Sequence, residues 1–151
     1  MPTIIFVCTG NTCRSPMAAA LATSIFGQNN LDITVLSAGV AAADNYPASQ
    51  NAVLAMEDEN IDLTPHLSTL ISQEIIVQSA LILTMTTSHL QIVKNIHPTA
   101  NAYTLAQYAG KKHDISDPFG GDLETYRKCA MQIKKLLTAS VAKLKEELCK
   151  A

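Results

Sequence analysis

The sequence predicts a single α/β domain in which a parallel sheet of four strands carries helices on both faces. Three observations predict it. The chain has 151 residues, the ordinary size for one hydrophobic core. Apolar residues make up 48% of it and Asp, Glu, Lys and Arg only 16%, so the core is well filled. Short β-branched runs alternate with stretches of helical periodicity, the pattern of strands joined by crossover helices. No repeat, low-complexity tract or Pro/Gly/Ser linker divides the chain, and residues 1–151 are read as one domain.

Taken in order, Thr3 to Val7 is the first strand. A helix follows at Ser15-Pro16, read as a side-chain cap and a proline at the first helical position; it runs through Met17, Leu21 and Ile25 and stops at Gly27. Ile33 to Leu36 is the second strand, and a helix starting near Pro47 carries Ala52, Val53 and Met56. Ala80 to Met85 is the third strand, followed by a helix over Ser88 to Ile96 that Pro98 closes. Ala102 to Leu105 is the fourth. In the last helix Leu123, Tyr126, Ala130, Ile133, Leu137, Val141, Leu144 and Leu148 recur at steps of three and four, with Lys134, Lys135, Lys143 and Lys145 elsewhere on its circumference.

Charge and composition narrow the function classes. With 11 basic and 13 acidic residues the net charge is -2 and no single-sign block stands out, which argues against nucleic acid as a partner. The longest early apolar run, Thr3 to Val7, is shorter than a signal-peptide core, and no stretch reaches the roughly 18 residues of a membrane span. A cytoplasmic chain with no membrane partner is expected. The cysteines at 8, 13, 129 and 149 form no CxxC pair, and His66, His89, His97 and His113 are scattered as surface or loop histidines, so no metal and no other cofactor is expected. The oligomeric state is not legible.

The chemistry lies in Cys8-Thr9-Gly10-Asn11-Thr12-Cys13-Arg14-Ser15, between a buried strand and a helix start. There, successive backbone N–H groups converge on an anion with the positive end of the helix dipole behind them. Gly10 and Asn11 are the residue types that most readily take left-handed backbone angles. Five residues separate Cys8 from Arg14. Cys8 is therefore expected at the floor of a phosphate cradle, with the Arg14 fork over two phosphoryl oxygens. The same charges favour a thiolate, and Ser15 is expected both to cap the helix and to donate its hydroxyl to that sulfur. Asp117-Pro118-Phe119-Gly120-Gly121 reads as a rigid loop whose two glycines release the chain into the last helix. Because the C-terminal ends of parallel strands share one edge, this loop can meet the first. Asp114 is the nearest rival carboxylate, without the following proline.

These residues carry a resemblance. Val7-Cys-Thr-Gly-Asn-Thr-Cys-Arg-Ser-Pro-Met17, with Ser37-Ala-Gly39, Leu83-Thr-Met85 and Asp117-Pro-Phe-Gly-Gly121, resembles the low-molecular-weight protein tyrosine phosphatases along the whole chain. The resemblance implies a Rossmann-like fold with a four-stranded parallel sheet, Cys8 as nucleophile, Arg14 as phosphate clamp and Asp117 as general acid. It implies a phosphocysteine intermediate and phosphorylated proteins as partners. Thr12 stands where tyrosine-specific members usually carry an aliphatic residue and is similar to the bacterial protein-arginine phosphatases. A hydroxyl suits a guanidinium, whereas an aliphatic group suits a phenyl ring. The Val40-Ala-Ala-Ala43 segment supplies no aromatic wall, which leaves Phe119 as the wall of the pocket and Tyr46 as a doubtful second. Phosphoarginine is the favoured substrate and phosphotyrosine the alternative.

Two other classes share parts of this pattern. A thiol-dependent arsenate reductase has the same anion loop but needs a further cysteine pair on the central segment, and residues 80–95 contain none. Cys129 and Cys149 stand ~30 Å apart along one helix at ~1.5 Å per residue, too far to bridge, and read as helix-face residues without a role. A non-catalytic phosphate-binding module is the third class. Cys13, five residues from the nucleophile and matched by a cysteine in the family, has two readings. It is either a resolving thiol in a reversible redox switch or a small buried side chain that supports the loop.

Overall fold

The computed structural model describes residues 1–149. Four parallel strands, β1 (Thr3–Cys8), β2 (Thr34–Gly39), β3 (Leu81–Thr84) and β4 (Ala102–Thr104), lie in the order β2-β1-β3-β4. The central strand β1 is covered on both sides, which is why Ile4 to Cys8 reads as an unbroken apolar run. Alternate side chains feed two cores. Ile4 and Phe6 join Leu81, Leu83, Met17 and Phe26 on one face; Ile5 and Val7 join Ile82, Ile71, Ile76 and Val93 on the other. The register sets Cys8 beside Gly39 and Val7 beside Thr84, so three strand ends finish level at one edge.

Helix α1 (Arg14–Gln28) begins one residue before the expected Ser15, and Cys13 at its cap makes no side-chain capping bond. Ser15 is thus not the cap. It is the second helical residue, already past the cap position, and its hydroxyl bonds Cys8 and Asn11 instead of the helix end. Pro16 occupies the third helical position, where an N–H has no intrahelical acceptor in any case. Gly27 does not stop the helix. The chain turns three residues later, where Asn30 takes φ 56°.

Helix α2 (Gln50–Glu57) is capped by Ser49, later than the expected start at Pro47, which pairs with Leu67 instead. Two short helices, α3 (Gln73–Gln78) and α5 (Leu105–Tyr108), were not expected, and Leu105 opens α5 rather than ending β4. Helix α4 (Thr87–Ile96) is capped by Thr86, and α6 (Leu123–Leu148) by Asp122. The α6 stripe is the predicted one: Tyr126, Ala130, Ile133, Leu137 and Leu144 are buried.

Candidate active site

Residues 8–15 join β1 to α1 at the level edge of the sheet. Their carbonyls are drawn outward by the surrounding elements. Cys8 and Thr9 accept from the Val40 and Ala41 N–H groups at 2.9 Å each, Asn11 accepts from His66 Nε2 at 2.7 Å, and Thr12 accepts from Ser49 N–H at 2.9 Å. Outward carbonyls turn the loop's N–H groups to its concave side, the geometry of an anion nest. Asn11, at φ 57°, supplies the left-handed turn; Gly10, expected to share that task, does not enter the left-handed region. The fully buried Asn11 side chain donates to Ser15 Oγ at 2.8 Å and Ser37 Oγ at 3.0 Å and accepts from Thr69 N–H at 2.9 Å. At Gly39 a Cβ would stand 2.4 Å from the Thr9 carbonyl and 2.9 Å from Asn11 N, so only glycine lets β2 end against the loop.

Cys8 forms the floor, buried, with Ser15 Oγ 2.8 Å from its sulfur. Arg14, also buried, donates from Nη1 to the Ile115 carbonyl at 2.8 Å and brings Nη2 to 3.6 Å from Asp117 Oδ2. The two loops therefore meet, as the shared strand edge predicted. Asp117 remains half exposed and accepts from Phe119 N–H at 3.1 Å, a local turn that fixes its carboxylate. Gly120 takes φ 81°, and the chain passes Gly121 into α6. Cys8, Thr9, Gly10, Thr12, Cys13, Arg14, Asp117 and Phe119 line a cleft of about 220 Å³. Tyr46 is not among the lining residues and is 59% exposed, so Phe119 is the single aromatic wall. Asp114 does not line the cleft either; its carboxylate receives the N–H and hydroxyl of Thr87 at the start of α4.

Several partners escaped the sequence reading. His89, expected as a surface or loop histidine, is 5% exposed on α4, with Nε2 2.8 Å from Thr9 Oγ1 and Nδ1 3.0 Å from Thr86 Oγ1. Burial first, and then the Arg14 charge, lower its pKa from 6.5 to about 4, so the ring is neutral at pH 7. His66 does lie in a loop, yet it holds the Asn11 carbonyl. A clue was available for His89, because the helix after a parallel strand begins at the strand's C-terminal edge and its first turn overlooks the site.

The remaining thiols lie nearby. Cys13 Sγ is buried 3.2 Å from the Tyr126 hydroxyl and 3.6 Å from Ser49 Oγ. Cys129 is buried near the Ser116 carbonyl, and burial pushes its thiol up to about 12, which keeps it protonated and unreactive. Among the described residues, no three His, Cys, Asp or Glu side chains cluster as a metal site, and no helix is long and apolar enough to cross a membrane.

Comparison with known proteins agrees with this geometry. The pattern that defines the low molecular weight phosphotyrosine protein phosphatase family matches residues 3–150. The protein-arginine-phosphatase of Bacillus subtilis (strain 168) is 40% identical over 147 residues, spanning 95% of this chain and 97% of that one. The low molecular weight protein-tyrosine-phosphatase PtpB of Staphylococcus haemolyticus (strain JCSC1435) is 37% identical over 135 residues, spanning 89% and 94%. A solved structure of the YwlE arginine phosphatase, a Cys-to-Ser mutant with a phosphorylated active site serine, superposes with a TM-score of 0.93. It shares 38% identity and covers 97% of this chain and 98% of that one.

Proposed function

The chain belongs to the low molecular weight phosphotyrosine protein phosphatase family, and we propose that Cys8, Arg14 and Asp117 hydrolyse phosphorylated protein side chains, with phosphoarginine preferred to phosphotyrosine. The observation that carries this reading is the meeting of the two loops. One cleft holds a thiol at its floor, a buried guanidinium beside it, and a half-exposed carboxylate 3.6 Å from that guanidinium.

In this reading the Cys8 thiolate attacks phosphorus in line, the Arg14 fork and loop N–H groups hold the equatorial oxygens, and protonated Asp117 gives its proton to the leaving nitrogen or oxygen. The S–P bond forms as the bond to the side chain breaks. Asp117, now a carboxylate, takes a proton from water, whose oxygen attacks phosphorus and expels the sulfur as thiolate. Ser15 Oγ, 2.8 Å away, donates to the departing sulfur. Cys8 ends as the thiolate and Asp117 as the acid, the side chain keeps the electron pair of the broken bond, water carries the phosphoryl group, and the cycle needs no cofactor. The four free thiols suit a reducing compartment, which supports a cytoplasmic location for the reaction.

Preference for phosphoarginine rests on Thr12 and on the single aromatic wall. Thr12 and Asp117 line the cleft and Phe119 is 76% exposed, which supports polar contacts to a guanidinium over stacking on a phenyl ring. The deciding experiment is the ratio of kcat/KM on a phosphoarginine protein to that on a phosphotyrosine peptide, with Cys8→Ser as the blank. A ratio well above one is expected for the native chain, and Thr12→Ile should move it towards phosphotyrosine. A ratio unchanged by Thr12→Ile removes the specificity argument. Phosphate binding without Cys8-dependent turnover replaces the enzyme with a binding module.

Cys13 lines the same cleft as Cys8, which supports its reading as a resolving thiol. Peroxide converts the Cys8 thiolate to a sulfenic acid, and attack by the Cys13 sulfur releases water and leaves a disulfide that a thiol reductant reopens. Peroxide-treated enzyme should lose two hydrogens in mass and regain activity with thiol; Cys13→Ala should be inactivated irreversibly.

A further inference from the structure

The phosphate-binding loop is gripped in two halves, and only one grip involves its left-handed turn residue, Asn11. Asn11 anchors the second half to Ser37 and Thr69. The first half, Thr9 and Gly10, follows the nucleophile directly and contains the most exposed residue of the loop, Thr9. Its backbone is fixed from the β2 side, where Ala41 N–H meets the Thr9 carbonyl and Gly39 packs beneath. Its side chain is fixed from the opposite side. There His89, buried in the first turn of α4, spans the 2.8 Å from Nε2 to Thr9 Oγ1 and the 3.0 Å from Nδ1 to Thr86 Oγ1.

Thr86 is itself held at two points. Its hydroxyl oxygen caps α4 by accepting from His89 N–H, and its carbonyl accepts from the buried Thr84 hydroxyl at 2.9 Å. The imidazole is therefore a rigid strut between a helix cap and an otherwise solvent-facing hydroxyl. A neutral ring has one donor and one acceptor nitrogen, so in either tautomer both hydroxyls are oriented in a fixed sense.

We propose that His89 is a positioning residue for the phosphate-binding loop: by holding Thr9 it keeps the Thr9–Gly10 segment in its anion-binding conformation before phosphate arrives. This rests on the phosphatase reading of the cleft. Free of the strut, the Thr9 hydroxyl turns to water and the peptide behind it rotates, so each phosphate that binds must reorder the loop. A cost paid on binding and carried unchanged into the transition state raises KM and weakens inorganic phosphate while leaving kcat nearly constant.

The two ring nitrogens allow a test that separates positioning from simple packing. In His89→Asn the amide reaches the position of Nδ1 and keeps the Thr86 contact but not the one to Thr9; in His89→Gln it reaches the position of Nε2 and restores the latter. His89→Asn should raise KM, and the phosphate concentration that half-protects Cys8 from iodoacetamide, by about 5- to 10-fold, the worth of one net hydrogen bond. Its kcat should stay within about twofold, and His89→Gln should recover most of the loss. Thr9→Val should reproduce the effect of His89→Asn, and the double variant should be no worse than either single one. Unchanged KM and protection in His89→Asn, no recovery in His89→Gln, or additive losses in the double variant each overturn the proposal. Should His89→Asn not fold, Thr9→Ser against Thr9→Val makes the same comparison from the other end, and equal behaviour of the two overturns it. Protection of Cys8 needs no turnover, so a native chain that binds phosphate without hydrolysing either substrate defeats the phosphatase reading and leaves the loop measurement standing.

Discussion

Asp117 is held by two weak, different bonds, an ion pair to Arg14 and an N–H from Phe119, and half of its side chain still faces solvent. That arrangement fixes direction without burying charge, which suits the acid and base role proposed for it. Asp117→Asn should lower kcat by about 10²- to 10⁴-fold on phosphoprotein, and much less on an aryl phosphate whose leaving group needs no proton. Equal losses on the two substrates would remove Asp117 from the acid role. Ser15→Ala deletes the hydroxyl at 2.8 Å from Cys8 and strips the Asn11 amide of one acceptor. A slower second step is expected, seen as a burst of product with trapped phosphocysteine in rapid-quench experiments. Legibility at this scale was uneven. That Cys8, Arg14 and Asp117 meet in one cleft was readable, because the loop spacing and the shared strand edge bring them together. Ser15 was misread as a cap because a serine before proline satisfies a helix end equally well in sequence, and only its neighbours decide the hydroxyl's partner. His89 was missed because a single histidine carries no periodic signal.

Among the elements, α6 was the easiest to read, and its buried face makes it a direct target for stability measurements. Its long apolar stripe repeats often enough to define a face, and Asp122 closes its first turn with bonds to the Thr125 N–H and hydroxyl. Leu137→Ala, at a fully buried position, should cost about 2–5 kcal/mol in urea unfolding, while Asp122→Ala should cost about 1 kcal/mol. A smaller loss at Leu137 than at Asp122 would show that α6 is held by its end rather than by its face. The short helices α3 and α5 eluded the sequence reading for a physical reason, since six and four residues are too few to establish a period of 3.6. Their caps were nonetheless written: Ser72 accepts from Ile75 N–H, and Thr104 with Gln107 forms a reciprocal capping box. The inner strands β1 and β3 were readable because they are buried on both sides, and strand ends shifted by a residue or two because pairing, not side-chain type, decides where a strand stops.

For the molecule as a whole, acid sensitivity should separate into two windows. The His89 pKa is about 4 in the fold and near 6.5 when unfolded, so between those values the unfolded chain binds more protons. Its contribution to stability is full above pH 6.5 and is lost as pH falls through about 4. The Asp62 and Asp122 carboxyls are held below 3.8, the first by the Thr64 hydroxyl and the second by the Thr125 N–H, so their contributions fade only at lower pH. The melting temperature should therefore fall between pH 6.5 and 4, with a shallower slope in His89→Gln; equal slopes would assign the loss to other groups. The parallel sheet has one more consequence. All four strands point their C-terminal ends at the cleft, so the edge where Thr3, Thr34 and Leu81 begin lies on the far side, ~20 Å away along the six residues of β1. Enzyme tethered to a sensor chip or resin through that far edge would present every cleft outward, where a bulky phosphoprotein can reach it without meeting the support.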